Sequence, residues 1–546
     1  MQKRKGIVLY LSYAVILSFL TFGSITIIRG INNLNITRRN RAAQQALYLS
    51  EAAMHTVSYN LAQSVANFND ETSSPILTSS PLSLSTLPTW YPPDTFIPSD
   101  FTVTYTCQIL GSEQIITDSL GAVTNCLLYE ITSTAAHKTY DVSVTLKQIV
   151  SREKNYTFQH AVFYADDLEM IPGAAMTLSG KIHCNSDIYI AATASLTVNT
   201  DYLHTAGDFY NLRKDDGTRP TGSVYLKIFG TSPSVYNTIK QSSQYMDSNN
   251  SNWTLGSQTL WGGSVKSSSH GITTLTLPDI GSIQPTGYYA TNAGLKIVKT
   301  SSGTWTITHD STTVDISAFP TGTITESTFY DNRQATNVTV VDIDISKLNS
   351  SGYFPSNGLL YVTREDATTS KPNGVRLKSG STLNAKLTTV SNDPVYIQGD
   401  YNTVNKKGAA VIADAINILS NNWSDSNSSL ALSSRTPTAT TINSAFVSGN
   451  VPTPTGGGTY SGGLENYPRL HENWSGKTLT ICGSFVELWP SSIATAAWAY
   501  GGTRYTAPTR SWDYDSSFNN SANLPPFTPF SVKIRAIIAW WQEAAT

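Results

Sequence analysis

The chain has 546 residues, and only 14% of them are charged, against about 25% in an ordinary soluble domain. The formal net charge of −2 excludes the basic surface by which nucleic-acid binders hold phosphate. Ser and Thr make up about a quarter of the sequence, and 28 Tyr with 11 Trp exclude a disordered polymer, so composition points to an extracytoplasmic, β-rich protein of about two to four domains.

Lys3, Arg4 and Lys5 precede Gly6, and residues 7–28 then carry no charge. As a helix this run spans about 33 Å, enough for a hydrocarbon core of about 30 Å. It lacks the small-residue cleavage site of a secretory signal peptide, so an uncleaved membrane anchor is expected. Arg29, Arg38, Arg39 and Arg41 follow it, so basic residues flank both ends. Beyond them Ala43, Leu47, Met54, Val57, Leu61 and Val65 recur at steps of three, four and seven. That is an amphipathic stripe, and a single long helix is predicted over 7–68, with 7–28 spanning the membrane.

A basic leader ending in Gly, a charge-free run and an amphipathic continuation together resemble the type IV pilin-like proteins. The stretch ALYLSEAAM, with Ala46, Glu51, Ala52 and Met54, resembles the A-x-x-AEA-x-L segment of the PilX N-terminal family of pilus assembly proteins. The resemblance covers about the first 65 residues. It implies that residues 1–6 are a leader, that a prepilin peptidase cuts between Gly6 and Ile7, and that the helix then packs with other pilins or pseudopilins. It implies a bacterial inner-membrane protein with a single pass and a periplasmic head, carried to a pilus or the cell surface on assembly. The fifth mature position, where a major pilin has Glu, is Leu11 here. That Glu neutralises a neighbour's amino group within an apolar core, so its loss points to a minor or tip subunit. Glu51 reads either as a solvated residue near His55 or as a contact to a neighbouring helix.

Residues 69–100 are rich in Pro and Ser and read as a linker. Three strand-like runs follow within 101–150, with alternation in FTVTYTCQIL and TYDVSVTLKQIV. With the helix they would form a pilin-like module. Cys107 and Cys126 fall in adjacent runs and are either a cross-strand disulfide or two buried thiols. From 151 to 420 the apolar runs are short and broken by Gly, Asn, Ser and Asp, with a Ser/Thr-rich insertion at about 211–340. No strict period is visible. The texture fits a β-helix or β-solenoid-like head or a multi-sheet sandwich. Residues 421–546 form an aromatic-rich carboxy-terminal region containing Trp423, Trp474, Trp489, Trp498, Trp512, Trp540 and Trp541. The expected fold is mainly β with one long N-terminal α-helix.

Specific catalytic patterns are missing: the sequence has no GxxxxGK[ST], HExxH or GxSxG. Asp342 and Asp344 stand two apart on a strand, as a glycosidase pair can, but they alternate with apolar residues and read as one solvent face. Asp166 with Asp167 and Asp513 with Asp515 are further acidic pairs. Asp425 and Asn427 offer oxygens for calcium, yet their loop lacks the Gly and Glu of an EF-hand, and Asx-turn capping accounts for it equally. His160, His183, His204, His270 and His471 are scattered, with no helical ligand spacing. No cofactor is expected. The expected function is a non-enzymatic minor pilin or pseudopilin acting in filament assembly or adhesion. The alternatives are a tethered adhesin that binds polysaccharide and, on fold analogy alone, a polysaccharide hydrolase or lyase.

Overall fold

The computed structural model describes residues 3–65, 80–81, 99–117, 120–368, 371–456, 460–461, 463–496, 498 and 502–543. Most of the linker expected at 69–100 lies outside the described residues, as do the first two residues of the leader. The chain forms two compact units. One takes in 1–114, 125–153 and 532–546; the other takes in 115–124 and 154–531. The fold is mostly β with one long N-terminal helix.

In the first unit, helix α1 (Lys3–Val65) runs 63 residues without a break, about 95 Å. From Gly6 to Arg41 every residue is exposed. By length and composition this stretch holds a helix able to cross a membrane. Its apolar run contains five hydroxyl residues. Ser12, Ser18, Thr21, Ser24 and Thr26 each donate to the carbonyl four residues earlier, at 2.8–3.0 Å. Each hydroxyl is thus satisfied by the helix's own backbone, as hydrocarbon requires.

The rear half of α1 packs on an antiparallel sheet of β1 (Phe101–Ile109), β2 (Val123–His137) and β3 (Val142–Tyr156). Phe101, Val103, Tyr105 and Cys107 alternate inward along β1. The buried seam of the helix is Ala42, Ala46, Ser50, Ala53, Met54, Val57 and Leu61. Ala43 and Leu47, placed on the stripe by hydropathy, are half-buried flanks. Small residues face the sheet because they let the two backbones approach. Ser50 is fully buried, with Oγ 2.9 Å from the Ser133 carbonyl and 3.3 Å from that of Val144. A fourth strand, Phe530–Gln542, lies beside β3 at the edge of the same sheet. It comes from the region that the sequence reading assigned to the carboxy-terminal part of the head.

The register corrects the disulfide expectation. Cys107 stands opposite Ile131, five residues along β2 from Cys126, which itself faces Glu153 of β3. Five residues of strand are about 17 Å, well beyond the reach of a bridge. Cys107 carries a free thiol in the core, and burial pushes its pKa up to about 11.

Parallel strands dominate the second unit. Strands β4 (Val162–Tyr164), β5 (Ile182–Cys184), β6 (Leu203–Thr205), β7 (Val265–Lys266), β8 (Leu295–Lys299), β9 (Leu359–Arg364), β10 (Leu387–Val390), β11 (Ala409–Ala413), β12 (Thr440–Asn450) and β13 (Thr478–Pro490) belong to one sheet. Their order across it is β7-β6-β5-β4-β13-β12-β11-β10-β9-β8. The chain therefore enters in the middle of the sheet, builds toward one edge, and resumes from the other. Phe485 of β13 closes the row against Val162 of β4.

A second parallel ladder joins the strands at 336–344, 373–378, 395–398, 416–419 and 469–470. Early in the unit the pairing repeats at 20 residues in three places: Val162 with Ile182, Leu168 with Ile188, and Met176 with Leu196. Inward Ile, Leu and Val from these strands form one continuous core. Gly180 turns between two of them at φ 95°, where a Cβ would sit 2.9 Å from Ala161 and the Tyr514 ring. Trp423, Trp474, Trp489, Trp498 and Trp512 are all buried. The carboxy-terminal aromatics thus mainly fill cores.

Candidate functional site

The two residues of the expected cleavage, Gly6 and Ile7, lie in the exposed front of α1. Leu11 is also fully presented, at 65% exposure. Of the helix motif, Ala46 and Met54 are buried against the sheet, while Glu51 and Ala52 are half-buried. His55 is exposed.

Asp342 does not belong to a solvent face. It is 2% exposed and holds Arg376 through both oxygens, Oδ1 to Nε at 2.6 Å and Oδ2 to Nη2 at 3.0 Å. Asp344 instead caps the short helix Ile345–Ser350, accepting from the Lys347 amide at 3.0 Å. Arg376 also reaches Asp425, Nη1 to Oδ1 at 2.6 Å, and the Trp423 indole donates to the same oxygen at 2.8 Å. The carboxylate considered for calcium is therefore the second acceptor of a buried guanidinium. Asn427 contributes a backbone turn, its amide donating to the Ser424 carbonyl. Among the described residues no group of three or more His, Cys, Asp or Glu is placed to hold a metal.

The other acidic pairs are likewise engaged. Asp167 accepts from Ser186 and the Asp187 amide and pairs with Lys214 at 2.8 Å. Asp515 caps a 3₁₀ turn and pairs with Lys406 at 2.8 Å.

Three histidines that look scattered in sequence meet in the fold. Register aligns Phe163, His183 and His204 across β4, β5 and β6. Phe163 stacks on His183 at 5.2 Å, His160 lies 6.1 Å from His183, and Tyr202 lies 3.7 Å from His204. Burial lowers all three imidazoles: His183 to about 4, His204 to about 3, and His160 well below its ordinary value. They are neutral spacers in an aromatic column. The 20-residue offset was the signal that could have joined them.

Glu487 is fully buried beside β4, accepting from the amides of Ala165 and Asp166 at 3.1 Å. Burial pushes its carboxyl up to about 8, and that of Glu169 to about 7. Neither carboxyl opens to a substrate-sized space: Glu487 is 0% and Glu169 4% exposed.

An open groove of about 350 Å³ does exist elsewhere. It is lined by Thr177, Ser195, Thr197, Arg510, Ser511 and Asp513, with Met176 and Trp512 in its floor. Thr177 and Thr197 are register neighbours on adjacent parallel strands. Arg510 is held over Trp512 at 5.2 Å and donates to the Glu465 carbonyl at 3.0 Å. The groove offers hydroxyls, a guanidinium and a carboxylate side by side, with no general acid–base pair among them.

No family model and no curated protein matches this chain. Among solved structures, it matches the competence-associated pilin ComZ from Thermus thermophilus, over 92% of this chain and 97% of that one. The sequences are 10% identical and the TM-score is 0.26. A likeness at that level carries no weight for fold or function.

Proposed function

We propose that this protein is a non-enzymatic minor pilin or pseudopilin, resembling the PilX N-terminal family, that is anchored in a bacterial inner membrane and assembled at the tip or surface of a filament. One observation carries the reading: a single helix whose front third is wholly exposed and apolar and whose rear packs on an antiparallel sheet. The basic residues ahead of Gly6 and the internally satisfied hydroxyls between residues 12 and 26 support it. Leu11 supports a minor rather than a shaft position, because it offers no counter-charge to a neighbour's amino terminus. We read the second unit as a β-solenoid-like head. The parallel ladders and the 20-residue offsets support that reading.

Amino-terminal peptide mass spectrometry on membrane and sheared-surface fractions tests the proposal. A chain starting at Ile7 in the sheared fraction is the expected result. A chain retaining Met1 and confined to membranes contradicts it.

The groove at Thr177, Thr197, Arg510 and Asp513 favours a second reading, a tethered adhesin that binds polysaccharide through hydroxyl and charge contacts. A glycan array with the full chain in detergent tests this. Signals abolished by Arg510→Ala are expected on that reading, and a flat array removes it.

A further inference from the structure

Arg469 is fully buried, and among the described residues none of its three guanidinium nitrogens has a hydrogen-bond partner. An arginine side chain does not shed its proton to escape such a position. Leaving five N–H donors and a full charge without acceptors is strongly unfavourable.

The surroundings deepen the imbalance. The Arg469 guanidinium lies 5.2 Å from the Trp498 ring. Arg333, 1% exposed, donates to the Trp498 carbonyl at 2.7 Å and the Leu470 carbonyl at 3.4 Å, and its Nε has no partner. Arg435, 3% exposed, donates to the carbonyls of His471, Thr503 and Arg504. His471 is fully buried, with Nε2 3.0 Å from the Asn417 oxygen and Nδ1 unpartnered.

Two carboxylates stand nearby, and both are already committed. Asp331 accepts from the amides of Arg333 and Gln334 and from the Tyr396 hydroxyl. Asp414 accepts from the amides of Ser492, Ile493 and Ala494. Neither forms an ion pair with any of the three arginines among the described residues; the nearest approach is His471 Nδ1 to Asp331 at 3.7 Å. Glu472 is occupied by Ser420, and burial pushes its carboxyl up to about 7.

We infer that Arg469, with Arg333 and His471 beside it, encloses a small monovalent anion of chloride size. Three guanidinium groups face two aspartates, so one further negative charge restores the balance. A water molecule would accept hydrogen bonds but leave the charge. The side chains around it are at most 3% exposed, which leaves no room for an organic anion. Burial and the mutual repulsion of the cations hold Arg333 down to about 9 and Arg469 below its ordinary value, a cost that a bound anion relieves. The site is independent of whether the helix enters a filament.

The full chain in detergent is crystallised with bromide replacing chloride, and its thermal unfolding is followed in chloride and in gluconate at equal ionic strength. An anomalous peak within hydrogen-bond distance of the Arg469 nitrogens is expected. So is a midpoint that climbs with the logarithm of chloride concentration and stays flat in gluconate. Arg469→Met should remove the chloride dependence. If that variant fails to fold, the wild-type bromide peak and chloride response decide alone. Absence of the peak overturns the inference. A peak without any chloride-dependent midpoint overturns it as well, since the ion is then adventitious only.

Discussion

Arg376 shows how a single side chain can decide between readings of its neighbours. It takes Asp342 out of any catalytic pair and Asp425 out of any calcium loop. Arg376→Met should leave Asp342 buried, with only Lys378 at 3.3 Å, and cost about 3–5 kcal/mol in urea-unfolding stability. Millimolar calcium should leave the wild-type urea midpoint unmoved; a rise would restore the calcium reading.

The buried titratable groups set a pH profile. Glu487, Glu169, Glu472 and Asp393 have folded-state values raised to about 8, 7, 7 and 7 by burial. Their unfolded values are near 4, so they hold protons in the fold that the unfolded chain releases. Their contribution is complete below about pH 4 and is lost as pH rises toward 8. His160, His183, His204 and His471 are lowered, so their contribution is present above about pH 6.5 and is lost as pH falls toward their folded values. Thermal midpoints should therefore peak on the acid side of neutrality. Glu487→Gln should flatten the alkaline limb.

Among the elements, the rear half of α1 depends on small residues. Ser50→Ala should cost about 1–2 kcal/mol by leaving the Ser133 side of the sheet without its donor. Ala46→Leu should cost about 1–3 kcal/mol by wedging helix from sheet. Near-UV circular dichroism melts of the detergent-solubilised chain would measure both.

This helix was largely legible in sequence, because a charge-free run and a 3.6-residue rhythm are local signals. Its exact face was not, because hydropathy ranks Leu47 above Ser50 and the fold does the reverse. The three strands after residue 100 were legible from alternation. The fourth strand of their sheet was not, since it lies hundreds of residues away. In the second unit, short strands and turns were visible, but the partners of each strand were not. The 20-residue offset holds for the first turns and is then stretched, as from Ser195 to Ser223, which hides it from inspection. The site residues proposed from acidic spacing failed for one reason: spacing cannot reveal an arginine on another strand.

At the scale of the molecule, the second unit's main segment, 154–531, is an insertion within the first. Its ends meet: the Thr157 amide donates to the Pro529 carbonyl at 2.9 Å. Removing residues from 532 onward should strip β3 of a neighbour, and amide exchange should show lost protection along β3.

The same arrangement bears on proteolysis. A cut just after Glu153 severs the covalent path from helix to head, but the fragment from 154 onward still carries the strand at 530–542 that is paired beside β3. Helix and head should then migrate together on a native gel and separate only once the sheet is melted in denaturant. A cut after Ser531 should release only the last 15 residues in denaturant, leaving the helix covalently joined to the head. The protein would thus survive a nick at either junction as an assembled whole, held at one by hydrogen bonds and at the other by its own backbone.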